Sequence, residues 1–265
     1  MKAFAIPATA LALMLVSATA QAELKSETVT YQVNGEDHTG YLAFDETLGE
    51  TRPGILIVHE WWGHNDFVRQ QADRLAREGY TAFALDMYGG GKVADHPDDA
   101  RSFMQAATAD AEQLRQRFVT ALEWLQAHPT VAAGKIAAQG YCFGGAVVLN
   151  MARLGVDLAG VVSIHGALTG PIQAEPGQVR ARVQVYTGGA DQMVPASQVA
   201  QLVTEMQDAG VDLTLTSFPG VLHSFSNPAA DALAERFGMP IGYDQAAAER
   251  TWQGTLAFYQ DLFGR

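Results

Sequence analysis

Gly140-Tyr141-Cys142-Phe143-Gly144-Gly145 holds the only cysteine of a 265-residue chain, and its spacing decides the fold. Glycines two residues either side of a central nucleophilic side chain are what a sharp strand-to-helix turn requires, because larger residues collide with the neighbouring strand and helix. Such a turn lifts the central side chain above the sheet at a helix N-terminus, where free N–H groups and the helix dipole favour negative charge. A lone cysteine is most often a small core residue. The flanking glycines and the strand-like Lys135-Ile136-Ala137-Ala138-Gln139 before it indicate a nucleophile instead.

Working outward, apolar runs alternate with helical spacing. Thr28–Val33 and Thr39–Phe44 flank Asn34-Gly35, a strong two-residue turn signal, and predict an antiparallel N-terminal hairpin. Gly54–His59 reads as a strand buried on both faces and Thr81–Leu85 as another buried strand, with Gly160–Ile164, Val183–Thr187 and Leu213–Phe218 as further strands. Helical spacing runs over Phe67–Arg77, Pro97–Ala127 (one or two helices), Ala146–Leu154, Ser197–Ala209 and Gln245–Phe263. The predicted class is α/β: a mostly parallel, doubly wound sheet behind an antiparallel hairpin, in one domain over 23–265.

Residues 1–22 read as a secretory signal. Lys2 gives a positive start, Leu11–Val16 an apolar centre and Ala20-Gln21-Ala22 a small-x-small cleavage site. The apolar stretch is short for a membrane span. Export to a periplasm is therefore expected, with no stable membrane association. With 29 acidic against 17 basic residues and a net charge of −12, the chain is not a nucleic-acid binder by composition. A single cysteine excludes an internal disulfide, and keeping a free thiol in an oxidising compartment favours a purpose for it.

In a doubly wound sheet, chemistry gathers beyond the carboxyl ends of the strands. Three candidates follow such strands, in the order Cys142, Asp191 (in Gly188-Gly189-Ala190-Asp191) and His223 (in Gly220-Val221-Leu222-His223-Ser224-Phe225). Nucleophile, acid, histidine is the chain order of an α/β-hydrolase triad. His223 would exchange the proton with thiol and leaving group, while Asp191 would fix the imidazole tautomer. Backbone N–H groups of Phe143 and Trp61 are the expected oxyanion hole. Glu60, at the end of the strand reaching His59, is an unusual neighbour for a thiolate. It could take the thiol proton, hold the thiol neutral, or simply be a solvated or paired carboxylate. His59, Glu60 and His64 do not make a zinc motif, since that needs histidines four apart on one helical face.

These motifs together resemble the dienelactone hydrolase family (carboxymethylenebutenolidase-like α/β-hydrolases), from about Tyr31 to Phe263. The resemblance implies the α/β-hydrolase fold and a Cys-His-Asp hydrolase that cleaves a small ester or lactone through an acyl-enzyme, without metal or organic cofactor. It also implies that Glu60 gates the nucleophile. Trp62, His165, Ser224, Asn227 and Arg101 are the expected substrate contacts. Trp61, Trp62, Phe143 and Phe225 form either an apolar substrate wall or plain core. The family's carboxylate clamp is not reproduced. Asn227 stands where an arginine is usual, Arg101 matches the second arginine only loosely, and His165 replaces an aromatic hydroxyl. An amide cannot make an arginine's charge-assisted bidentate bond. A non-catalytic binding protein on the same scaffold and a thioester hydrolase are the alternatives.

Overall fold

The computed structural model describes Met1 and residues 23–265, so the predicted signal segment lies outside the described residues. The chain opens with β1 (Leu24–Val33) and β2 (Glu36–Asp45), paired antiparallel in full register. Asn34 and Gly35, at φ 51° and 82°, turn the chain between them. That positive-φ pair matches the right-handed twist of the strands.

Next come β3 (Arg52–Val58), α1 (Asp66–Arg77), β4 (Thr81–Leu85), α2 (Pro97–Thr108), α3 (Ala111–Gln126), β5 (Val131–Tyr141) and α4 (Phe143–Arg153). The remainder is β6 (Gly160–Ile164), β7 (Arg182–Gly188), α5 (Ala196–Asp208), β8 (Leu213–Phe218), α6 (Ala230–Phe237) and α7 (Gln245–Phe263). The sheet order is β1-β2-β4-β3-β5-β6-β7-β8, and from β4 onward every pairing is parallel.

Period-2 alternation along the strands builds two cores. Leu56, Val58, Phe83 and Leu85 face α3 and α4 residues such as Phe118, Leu122 and Val148. Ile55, Ile57, Ala82 and Ala84 face the other way, onto Val68 and Leu75 of α1 and Tyr259 of α7. Because β3 sits between β4 and β5, the chain leaves β3 in one direction and returns at β5 on its other side. That reversal opens a crevice at the carboxyl ends of β3 and β5, where sheets of this type hold ligands.

Two differences from the sequence expectation stand out. The elbow helix begins at Phe143 rather than Ala146, so Gly144 and Gly145 are its first turn despite their low helix propensity. Tight packing requires them there: a Cβ on Gly144 would meet His59 O at 2.7 Å and Val58 O closer still, and one on Gly140 would meet Gly145 N at 2.7 Å. α6 was not anticipated; it ends at Gly238, whose left-handed conformation caps it. Gly144→Ala is expected to destabilise the fold by at least about 2 kcal/mol, since backbone cannot rotate away as a side chain can. A shift in the urea midpoint at unchanged slope would measure it.

Candidate active site

Cys142 joins β5 to α4 with φ 51° and ψ −113°, a conformation L residues avoid. Its N–H is shared between Ile164 O at 3.0 Å and His165 Nδ1 at 3.1 Å. His165 is fully buried, itself at φ 41°, and its Nε2 lies 2.8 Å from Ser226 Oγ. Because Nδ1 accepts from Cys142, the proton belongs on Nε2, which donates to Ser226. Burial, reinforced by the charge of His223, keeps the His165 imidazole neutral, well below its ordinary range. His165 thus lies beneath the elbow and fixes its backbone.

β7 and β8 deliver the other two members. Asp191 accepts the Met193 and Val194 N–H groups through Oδ1, at 2.8 and 3.1 Å, leaving Oδ2 for His223 Nδ1 at 2.7 Å. The carboxylate is therefore immobile before it meets the imidazole. His223 Nε2 is buried and has no hydrogen-bond partner within ordinary geometry. Burial alone would lower the His223 pKa, but the charge of Cys142 and the Asp191 hydrogen bond outweigh it and raise it to about 10.

Cys142 and His223 share a cavity of about 400 Å³. Trp61 and Phe143 line it as well, and neither backbone N–H has an acceptor among the described residues. Tyr88 donates its hydroxyl to Trp61 O at 3.0 Å and rests edge-on against His59, which holds the Trp61 loop in place.

Glu60 is 2% exposed and sits just beyond β3. Its Oε2 accepts Asn227 Nδ2 at 2.6 Å, while Oε1 is buried without a partner. Burial pushes this carboxyl up to about 7, although Asn227, the His223 charge and Ser224 all pull it down. The Asn227 amide cannot flip freely, because its Oδ1 accepts the Ala229 N–H at 2.9 Å.

The expected substrate contacts separate. Ser224 lines the cavity at φ 58°. His165 does not; it is under the elbow. Trp62 and Asn227 border a second cavity of about 480 Å³, with Trp62 stacked on Phe237. Arg101 is exposed on α2 and pairs with Asp98 at 3.3 Å, outside the cavity. Of the four aromatics, Trp61 and Phe143 form cavity wall, Trp62 packs elsewhere and Phe225 is core. His59 and His64 are both buried on backbone groups: Met87 N–H donates to His59 Nε2, and His64 Nε2 lies 2.9 Å from Ala84 O.

Sequence reading missed Tyr88, Ser226 and the methionines of the cavity, Met104, Met193 and Met239. Ser226, three residues after His223, could have been found from motif proximity. Met239 follows the unanticipated α6, and no local pattern points to it.

The dienelactone hydrolase family model matches residues 39–263. A putative carboxymethylenebutenolidase of Aquifex aeolicus (strain VF5) is 25% identical over 88% of this chain and 96% of that relative. The solved dienelactone hydrolase-like promiscuous phosphotriesterase P91, from metagenomic libraries, superposes with a TM-score of 0.82 at 30% identity, covering 90% of this chain and 98% of that one. The structure named m3DLH gives 0.84 at 32%, covering 91% and 99%.

Proposed function

The chain belongs to the dienelactone hydrolase family, and from that premise we propose that it cleaves a small ester or lactone through an acyl-enzyme on Cys142. The observation that carries this reading is the meeting of Cys142 and His223 in one cavity, with His223 Nδ1 anchored on Asp191 and Nε2 left free.

In the proposed reaction Cys142, as the thiolate paired with protonated His223, attacks the substrate carbonyl carbon. A carbon–sulfur bond forms and the carbonyl π pair moves onto oxygen. The N–H groups of Phe143 and Trp61 receive that oxyanion, stabilisation of a kind worth about 3 kcal/mol per donor. Collapse of the intermediate breaks the carbon–oxygen ester bond, and the leaving alkoxide needs a proton. His223, raised to about 10, is protonated at neutral pH and supplies it from Nε2. The now neutral imidazole takes a proton from water, whose oxygen attacks the thioester and releases the carboxylic acid and the thiolate. Asp191 holds the imidazole tautomer throughout.

The gating role implied by the family resemblance would need Glu60 to accept or release a proton near neutral pH, and burial pushes its carboxyl up to about 7. Export with cleavage near Ala22 belongs to the same proposal, resting on the signal-like composition of 1–22.

Intact-mass analysis during turnover of an activated acetate ester tests the reading. A transient adduct of one acetyl group on Cys142, which persists longer in His223→Ala, is the expected result. An unmodified thiol in both proteins would favour the non-catalytic scaffold instead.

A further inference from the structure

The substrate's chemical class is written in what the cavity lacks. Apart from Cys142, His223, Ser224 and Thr108, its lining is apolar, and no lysine or arginine reaches it. The side chains best suited to hold a substrate carboxylate are already engaged or lie elsewhere. His223 gives Nδ1 to Asp191 and shares the cavity with the Cys142 sulfur, whose charge it feels. Asn227 donates into Glu60 and faces a different cavity. Arg101 stands on the surface with Asp98. Besides the His223 imidazole, the charged side chains at the site are Asp191 of the triad and Glu60, both acidic and both buried. A carboxylate entering this space would shed its water and meet only the His223 imidazolium, already paired with Asp191 and facing the Cys142 sulfur, which is strongly unfavourable.

The apolar wall has its own character. Met104 comes from α2, Met193 from the loop after β7 and Met239 from the loop after α6. Unbranched thioether side chains from three separate elements can repack around groups of different outline. The remaining wall includes the apolar side chains Val194 and Ile241, which supply no directional polar contact. The volume of about 400 Å³ lies in the small-molecule range.

We propose that this site takes uncharged, apolar esters and discriminates against those bearing a carboxylate, with the three methionines tolerating variation in shape. The inference rests on the hydrolase reading above. A near-isosteric pair tests it: 4-isopropylphenyl acetate against 4-carboxyphenyl acetate at pH 7.5. The carboxylated phenol is the better leaving group, so intrinsic reactivity does not favour the neutral ester.

The neutral ester is expected to show kcat/KM about 100-fold higher, as the transfer of an unpaired charge requires. Met239→Arg, at a half-exposed position where the long side chain can stay partly in water, is expected to narrow that ratio at least about 10-fold. Protection of Cys142 from iodoacetamide reports binding separately, and the neutral ester alone is expected to protect. Equal turnover of both esters, or an unchanged ratio in Met239→Arg, would overturn the inference while leaving the hydrolase reading intact. No turnover of either ester, with protection by the neutral one alone, would sustain the cavity's preference and overturn the hydrolase reading. No turnover with equal or absent protection would overturn both.

Discussion

Cys142→Ala is expected to lower kcat/KM toward activated esters by about 10⁴-fold while leaving the fold intact, a loss of about 5 kcal/mol of transition-state stabilisation. The residual activity would come from the oxyanion donors and binding alone. Folding should be spared because the Cys142 side chain makes no capping hydrogen bond and is only half-buried. The positive φ at this position is as unfavourable for alanine as for cysteine, so backbone strain is unchanged.

The same variant carries a second readout. The charge of Cys142 is the largest influence raising His223 against its burial. Removing the sulfur should therefore bring the His223 titration down from about 10, with the Asp191 bond retaining part of the elevation. NMR titration of the imidazole in wild type and variant would follow it. Full activity in Cys142→Ala would end the nucleophile assignment. Lost activity with an unmoved His223 titration would mean that the sulfur and imidazole do not interact in the resting protein.

The parts of this site that were legible in the sequence are those set by local rules. Gly140 and Gly144 have no room for a Cβ, the first against Gly144 and Gly145 and the second against Val58 and His59 at the end of β3, and their spacing about Cys142 carries both constraints. Asp191 and His223 each follow a strand whose β-branched and alternating pattern is itself a local signal. What escaped depends on tertiary partners. Asn227 and Glu60 are 167 residues apart, and only the folded chain shows that the amide is occupied by the carboxylate rather than open to substrate. Trp61 and Trp62 are adjacent, yet their rings lie 64° apart and serve different cavities. Arg101 has the right residue type on the right helix, but it turns to Asp98 three residues earlier. α6 escaped for a different reason: Ala230, Leu233 and Phe237 do follow helical spacing, but the helix is only eight residues long, too short for the period to stand out.

Glu60→Gln is expected to make the protein more stable at alkaline pH while damaging its function. The Glu60 carboxyl has a folded pKa of about 7 against 4.5 for the free side chain. Between those values the folded state holds a proton that the unfolded state has released. Stability from this group is therefore fully present below about 4.5 and is lost as pH rises through about 7. By pH 8 the ionised, buried carboxylate costs the fold about 3 kcal/mol. Glutamine copies the shape of the protonated acid and can still accept from Asn227 Nδ2, so it should match wild type at pH 4 and exceed it by up to about 3 kcal/mol at pH 8. For a chain of this size that corresponds to roughly 6–12 °C in Tm. Thermal melts at the two pH values would show the divergence, and coincident curves would mean that Glu60 ionises without penalty. In the proposed gating role, kcat/KM of the wild type climbs as Glu60 ionises near pH 7, and the glutamine variant lacks that rise. A stabler protein with a flattened pH profile would tie both effects to one proton. The carboxyl would then be kept at a buried position against the stability of the fold, as expected of a functional group and not of a structural one.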